Sequence, residues 1–338
     1  MPATIKDVAR LAGCSIKTVS RVINDEPYVT EETRQKVQTA IRTVGYAPNI
    51  SARRLAQNKS YMICILMYPG FYQPASEVFS RIMDVGYEEN YDILIQPYFP
   101  PHARSRRKLV SLIDEHRIDG FITTPPLDAD DFVADLLSTY KVPQVQINPY
   151  QRTDLIPFVA GDDYEGAYKM TEHLITLGHR RIAFYSGPRN MRASFDRLSG
   201  YQAAMLAHQV PVIEALVRSS EWTFDGGLTL TRELLGQPDS PTAIFAGNDE
   251  AAFGVMYAAQ EMQVNIPQQL SVCGYDDLPF SKNIWPGLST VHQPSEELVE
   301  RSTHMLIDLL KGRQPAQSGI IITSQVIQRG STARPASE

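Results

Sequence analysis

From residue 61 onward, short apolar runs alternate with longer amphipathic stretches, and no other feature of the chain narrows its fold so much. The runs at 62–67, 92–96, 120–124, 144–147, 158–160, 181–186, 243–246 and 270–273 read as strands. Helical spacing fills the gaps, for example over 75–89, 105–116, 164–177, 194–209 and 249–263. Strands that alternate with helices imply parallel βαβ units in an open, doubly wound α/β sheet. The stretch is too long for one such sheet, so two lobes are expected. Ligands of such sheets bind outside the carboxyl ends of the strands.

At 338 residues, with 43% hydrophobic and 21% charged side chains, the chain can bury a core without disulfide or metal staples. Cys14, Cys64 and Cys273 are isolated, and no Cys/His pair has zinc-ligand spacing, so no disulfide, metal site or cofactor is expected. Apolar runs fall short of the ~18–20 residues that span a bilayer, and residues 1–7 lack a signal-peptide core. A cytoplasmic protein with no membrane partner is expected.

The net charge of −6 is unevenly spread: residues 1–60 carry ten Lys/Arg against five Asp/Glu, and the remainder carries 22 against 33. A basic head on an acidic body points to nucleic acid at the head alone. Residues 4–45 read as three short helices. Thr4 with Asp7 three residues on forms a capping pair for 5–11, and Gly13 permits the turn that follows. Ser15 can cap a helix from Ile16 to about Asn24, and Thr30-Glu31-Glu32 opens a third with carboxylates at its positive end. Ile5, Val8, Ala9, Val19, Val22, Val37 and Ile41 recur at helical spacing and can form one small core. Together these make a helix-turn-helix, whose second helix lies in the major groove. Ile16, Lys17 and Arg21 face outward there, and Thr18 and Ser20 reach phosphates. Lys17 or Arg21 can donate to guanine O6/N7, and Ile16 can touch a thymine methyl. On these residues alone, a generic helical hairpin with solvated Lys and Arg is the other reading.

After the break at 45–48, Asn49 can cap about two helical turns. A helix that short is marginal in water, so it forms only when something binds it. Ala52, Arg53 and Leu55 suit minor-groove insertion, with Leu55 as a wedge between base steps and Arg on phosphates. The plain alternative is a linker helix that docks Leu55 on the body.

Thr4-Ile5-Lys6-Asp7-Val8-Ala9, Gly13-Cys14-Ser15, Thr18-Val19-Ser20-Arg21-Val22-Ile23-Asn24, and Gly45-Tyr46 through Pro48-Asn49 to Ala52-Arg53 and Leu55 resemble the head and hinge of the lactose-repressor/galactose-repressor family. The resemblance implies DNA contacts from Thr4, Ser15, Ile16, Lys17, Thr18, Ser20, Arg21, Asn24, Tyr46, Asn49, Ala52, Arg53 and Leu55. It also implies that the hinge helices of two subunits pair in the minor groove, where the residue matching Leu55 levers open the central step. Lys17 departs from several members, so the operator bases do not carry over. The implied organisation is a helix-turn-helix head at 1–47, a hinge at 48–60 and an effector-binding and dimerisation body at 61–338.

In the body, polar and aromatic residues follow strand ends: Tyr68, Phe71 and Tyr72, then Asn148, Arg197, Asn248-Asp249 and Gly274-Tyr275-Asp276-Asp277. Carboxylates, amides, one Arg and aromatic faces are what a hydroxyl-rich ligand requires. Taken singly, each is as readily a cap or loop residue, Asn248 above all. The set Gly166, His173-Leu174-Ile175, Leu177-Gly178-His179, Gly187-Pro188, Arg197, Gly200-Tyr201, Asn248-Asp249 and Gly274 to Asp277 resembles the same family's effector core, which is similar to periplasmic sugar-binding proteins. By that resemblance Arg197, Asn248 and Asp276 hydrogen-bond the effector, Asn148 sits on the first lobe and Trp222 stacks on the ligand. Tyr68, Phe71 and Tyr72 lie in a loop particular to this chain, and His173 and His179 are structural. The implied lobes are about 61–160 with 290–330, and about 161–289, joined by three crossings. The end of the chain has no leucine heptad, so a homodimer rather than a tetramer is expected.

Three functions compete on this footing. The first is a repressor of sugar-catabolism genes that grips a pseudo-palindromic operator and responds to a small sugar. A purine or sugar phosphate is less favoured, for want of a basic cluster at the strand ends. The second is a carbohydrate hydrolase using Asp162/Asp163 or Asp276/Asp277. Glycosidase acids flank the scissile bond at about 5–10 Å, which adjacent residues rarely do, and the chain lacks a nucleophile elbow, a P-loop and a dinucleotide fingerprint. The third is a solute receptor for transport, which suits the body but not the basic head. The repressor is expected, with no catalytic residues.

Overall fold

The computed structural model describes residues 3–23, 28–46, 59–69, 76–100, 102–115 and 118–336. The chain divides into two units, Met1–Ser60 and Tyr61–Glu338.

In the first unit, Thr4 opens α1 (Ile5–Ala12): its N–H donates to Asp7 at 3.0 Å and its hydroxyl donates to the same carboxylate oxygen at 2.7 Å. The helix ends at Gly13, at a left-handed φ of 63°. α2 (Ile16–Ile23) starts on Ser15, whose Oγ accepts the Thr18 N–H at 3.1 Å. Thr30 caps α3 (Glu31–Val44) by accepting the Thr33 N–H at 3.4 Å. Val8, Ala9, Val19, Val22, Val37 and Ala40 are buried together, with Ile5, Ile41 and Tyr46 packed at the margin. Each of the three helices thus carries its own start signal and contributes one apolar face to a core too small for any of them alone.

The second unit begins with β1 (Met62–Met67), α4 (Ser76–Glu89), β2 (Asp92–Pro97), α5 (Ala103–Asp114), β3 (Gly120–Thr123), α6 (Asp131–Thr139), β4 (Gln144–Ile147) and β5 (Phe158–Gly161). It continues with α7 (Asp163–Leu177), β6 (Ile182–Ser186), α8 (Arg192–Ala207), β7 (Val217–Ser219), α9 (Phe224–Leu235), β8 (Ala243–Ala246), α10 (Asp249–Glu261), β9 (Ser271–Asp276) and β10 (Ser289–His292). α11 (Ser295–Leu310), β11 (Gly319–Ile322) and β12 (Gln325–Ile327) close it.

Two six-stranded sheets result, in the orders β11-β5-β4-β3-β1-β2 and β12-β10-β9-β8-β6-β7. Every pairing is parallel except β10 with β12. The first sheet packs α4 and α11 on one face, through Ile82, Val85, Leu298 and Leu306, and α5 and α6 on the other, through Leu109, Leu112, Val133 and Leu137. The second packs α7 and α8 through Met170, Leu174, Tyr201 and Met205, and α9 and α10 through Leu234, Ala251, Val255 and Ala259. Strands covered on both faces have no polar side, which is why Ile63-Cys64-Ile65-Leu66 reads as an unbroken apolar run.

Two expectations need correction. The return to the first lobe does not begin at about 290, because Thr290-Val291 pair with Gly274-Tyr275 inside the second sheet. The chain crosses at 293–294, lays α11 and β11 on the first lobe, and crosses back so that β12 pairs with β10. The stretch 319–327 is therefore two strands in two lobes. The second correction concerns β9, which runs on to Asp276 instead of stopping at Cys273. Gly274 is a point of close approach: a Cβ there would meet Oδ1 of Asp249 at 2.3 Å. The strand continues because the glycine makes room for that carboxylate.

Candidate functional site

At the head, the amino end of α2 is the outward polar surface. Ser15 and Lys17 are exposed, Ile16 keeps 45% of its surface open, and Thr18, Ser20 and Arg21 are half-buried. The Ser15 hydroxyl is partly committed, since it caps α2 and lies 2.9 Å from the Thr18 hydroxyl. Thr4 is exposed but tied to Asp7, and Tyr46 packs against the head core. Asn24, Asn49, Ala52, Arg53 and Leu55 lie outside the described residues, as do Phe71 and Tyr72.

In the body, four expected residues of the second lobe converge at the carboxyl ends of its strands. Arg197, on α8, is 3% exposed. Its Nε donates to Asp163 at 2.7 Å, its Nη1 donates to the Gly247 carbonyl at 2.6 Å, and its Nη2 lies 3.5 Å from Asp276. The guanidinium is sandwiched between aromatic rings, 3.6 Å from the Tyr275 centroid and 4.7 Å from the Trp222 centroid. Burial opposes its charge, but Asp163 and Asp276 more than offset this and raise its pKa.

Asp276 ends β9 at a φ of 115°, and Asp277 follows at 59°. Both values are unusual for side chains with a Cβ and mark backbone held in place by its surroundings. Asp277 is held from both sides: Arg329 Nη2 donates to it at 2.6 Å, and His292 Nδ1 lies 3.1 Å away. Those contacts also keep its pKa low, His292 first. The Asp276 side chain is 25% exposed, and burial pushes its pKa up to about 7 despite Arg197. It is the carboxylate of the cluster that remains open to a ligand.

Asn248 caps α10: Oδ1 accepts the Ala251 N–H and Nδ2 donates to the Trp222 carbonyl, both at 3.0 Å. The cap reading and the site reading of Asn248 are therefore compatible, since one Nδ2 hydrogen is left for a ligand. Trp222 is buried beneath the cluster at a left-handed φ of 56°. Gly187 lets it in: a Cβ there would meet the indole at 2.1 Å. The Trp222 indole stacks on the Arg197 guanidinium.

On the first lobe, Asn148 takes a left-handed φ of 48° and its Oδ1 accepts the Gly161 N–H at 2.8 Å, which ties the end of β4 to the first crossing. Tyr68 packs against the core at the end of β1, edge to face with Phe99 at 6.1 Å.

Sequence reasoning placed Asp249 and Tyr275 at the strand ends but gave them no contact, and it missed Asp163 as a part of this cluster. Asp249 is fully buried and accepts from the hydroxyls of Ser281 and Thr290 and from the Leu278 N–H, with its pKa pushed up by burial to about 6. The signal for Asp163 was masked by its neighbour: Asp162 caps α7 by accepting the Glu165 N–H at 3.0 Å, and two adjacent Asp residues look alike before a helix. His179 holds the chain end, its ring between the hydroxyls of Thr242 and Ser271 and the Ala333 carbonyl, and burial lowers its pKa. Among the described residues, no cluster of His, Cys, Asp and Glu could hold a metal ion, and no helix is long and apolar enough to cross a membrane.

A helix-turn-helix head and a two-lobed core with polar groups at its strand ends define a DNA-binding regulator with a ligand-binding domain. Residues 4–49 match the family "Bacterial regulatory proteins, lacI family", and residues 171–332 match "Periplasmic binding protein-like domain". The HTH-type transcriptional repressor PurR of Escherichia coli O139:H28 is 30% identical over 332 residues, covering 98% of this chain and 97% of PurR. The lac repressor dimer bound to operator and the anti-inducer ONPF superposes with a TM-score of 0.76 at 27% identity, over 98% of this chain and 100% of that one. The regulator CelR in complex with cellobiose gives 0.73 at 26% identity, over 97% and 99%. The chain belongs to the LacI family, whose members are transcriptional regulators, and it is a DNA-binding repressor with an effector-binding domain.

Proposed function

We propose that this repressor controls sugar-catabolism genes and that a small, uncharged sugar between its lobes modulates operator affinity. The observation that carries the reading is the position of Arg197 between Asp163 and Asp276. A guanidinium already paired with Asp163 and lying beside Asp276 offers an anion little, and the open Asp276 side chain suits hydroxyls, which both donate and accept. A sugar phosphate is disfavoured by the same charge balance. The complex of CelR with cellobiose supports a sugar, as a property of that relative.

The working unit is a homodimer on a pseudo-palindromic operator in the cytoplasm, with no membrane partner. Exposed apolar side chains support the dimer: Met83 and Tyr87 one turn apart on α4, and Trp285 at the edge of a groove of about 470 Å³ that Phe253, Met256 and Tyr257 help to line. Thr4, Ser15, Ile16, Lys17, Thr18, Ser20, Arg21, Asn24 and Tyr46 serve the major groove and its phosphates, and Asn49, Ala52, Arg53 and Leu55 the minor groove. Tyr68, Phe71, Tyr72, Asn148, Arg197, Trp222, Asn248 and Asp276 form the effector site. The sugar acts only through its different affinity for two arrangements of the lobes, a coupling typically worth about 1–3 kcal/mol. The test is fluorescence anisotropy of the operator-bound protein while sugars, sugar phosphates and nucleobases are added in turn. A neutral sugar should change operator affinity. A response to nucleobases or phosphates alone would overturn the reading.

A further inference from the structure

The lobes also meet beside the Arg197 cluster. The segment 148–157 between β4 and β5 is anchored to the first lobe twice: the Tyr150 N–H donates to Asp128 at 2.5 Å, and the Ser318 hydroxyl donates to Asp154 at 2.9 Å. Between these anchors, Nη2 of Arg152 reaches across to Oδ2 of Asp196, on α8 of the second lobe, at 3.3 Å. Asp196 is itself oriented by Arg192 one turn earlier, whose Nε donates to Oδ1 at 2.8 Å. Beside the ion pair the rings of Tyr150 and Phe195 meet edge to face, 6.2 Å between centroids.

This contact is more than a surface charge pair. The Arg152 and Asp196 side chains are only 24% and 14% exposed, so solvent screens them less than an open pair. Among the described residues, Nε of Arg152 is buried without a hydrogen-bond partner, so the arginine is held across the gap by its outer nitrogen. Asp196 also directly precedes Arg197. One turn of α8 therefore carries the interlobe contact on one side and the effector-site guanidinium on the other.

We propose that Arg152 and Asp196, seated beside the Tyr150–Phe195 contact, form an interlobe latch. Opening the cleft breaks the pair, and its strength sets how often the cleft opens and how readily a ligand exchanges. Because α8 carries both features, a ligand that moves Arg197 also moves the latch.

The test is a distance measurement on the full chain without DNA or added ligand, so its outcome does not depend on which effector the site takes. Spin labels are placed by Ala134→Cys on α6 and Gln202→Cys on α8, both exposed, in a Cys14→Ser background; Cys64 and Cys273 are buried. Labelled chain is mixed with an excess of unlabelled chain and measured by double electron–electron resonance. Asp196→Arg should raise the long-distance population about tenfold, between the effect of losing an exposed pair and that of uncovering a buried charge. Arg152→Asp combined with Asp196→Arg should restore the parent distribution. Arg152→Gln, on the loop side, should open the cleft to a lesser degree and guards against disruption of α8 by the charge reversal. Unchanged distances in both Asp196→Arg and Arg152→Gln, or a charge-swapped protein as open as the single variants, would overturn the latch.

Discussion

Nε of Arg197 donates to Oδ1 of Asp163 at 2.7 Å, and both side chains are closed to solvent. Removing one partner leaves an uncompensated buried charge, which costs about 3–5 kcal/mol. Arg197→Ala should therefore destabilise the second lobe, and Asp163→Asn should do the same. The double variant should cost less than the sum of the two. Denaturant unfolding of the three proteins checks this. Additive losses would show that the pair is not coupled.

Asp276 gives a pH dependence of defined sign. Its pKa is pushed up to about 7 by burial, from an ordinary 3.8. Between those values the unfolded chain has lost a proton that the folded chain keeps, so the Asp276 contribution to stability falls as pH rises from about 4 to 7 and is level above. Asp249 adds a slope of the same sign up to about 6. Asp276→Asn should lessen the slope from about pH 4 to 6, where Asp249 still acts, and remove the Asp276 share of it from about 6 to 7. Ligand affinity should run the other way: a hydroxyl that donates to Asp276 prefers the carboxylate, so affinity should rise from pH 6 to 8. Thermal unfolding and ligand titration across that range decide both signs.

The head was legible because its signals are local: Thr4, Ser15 and Thr30 each start a helix within four residues of themselves. The sheets were legible because strands buried on both faces are mostly apolar. The lobe assignment near residue 290 was not, since Thr290 looks like any strand residue until its hydroxyl is seen donating to Asp249, 41 positions away in the chain. The effector cluster was half legible for the same reason. Arg197, Asn248 and Asp276 stand out as polar residues near strand ends and Tyr275 as an aromatic beside them, whereas Asp163 looks like a cap. Their role comes from long-range pairing around one guanidinium, and spacing does not encode that. The Arg152–Asp196 contact joins a loop of one lobe to a helix of the other and left no mark in the pattern at all.

Lys17 is exposed at the amino end of α2, the end that a recognition helix turns towards base edges. Base contact and phosphate contact separate on one variant. If Lys17 donates to a base, Lys17→Ala should cost about 1–3 kcal/mol and relax discrimination at one operator position. If it grips a phosphate, binding should weaken evenly across operator sequences and the slope of log affinity against log salt should fall by about 1. Operator titrations with single-base variants at several salt concentrations distinguish the two, and no change in either would remove Lys17 from the interface.

Trp285 is 95% exposed beside the groove lined by Phe253, Met256 and Tyr257, and Tyr87 is 87% exposed on α4 of the other lobe. Large aromatic side chains left open in this way are common anchors of protein interfaces, where truncation costs about 2 kcal/mol or more. Trp285→Asp also places a charge where burial would be required, so it should weaken self-association by at least about 30-fold. Two heads held in one dimer engage two half-sites together, and a monomer loses that advantage. Operator affinity should therefore fall along with dimer stability, while the fold of each lobe is kept because Trp285 contributes little to either core. Sedimentation velocity over a range of concentrations, run beside operator titration, tests the pair of effects. A Trp285→Asp protein that sediments like the parent and binds operator equally well would move the dimer face elsewhere on the molecule.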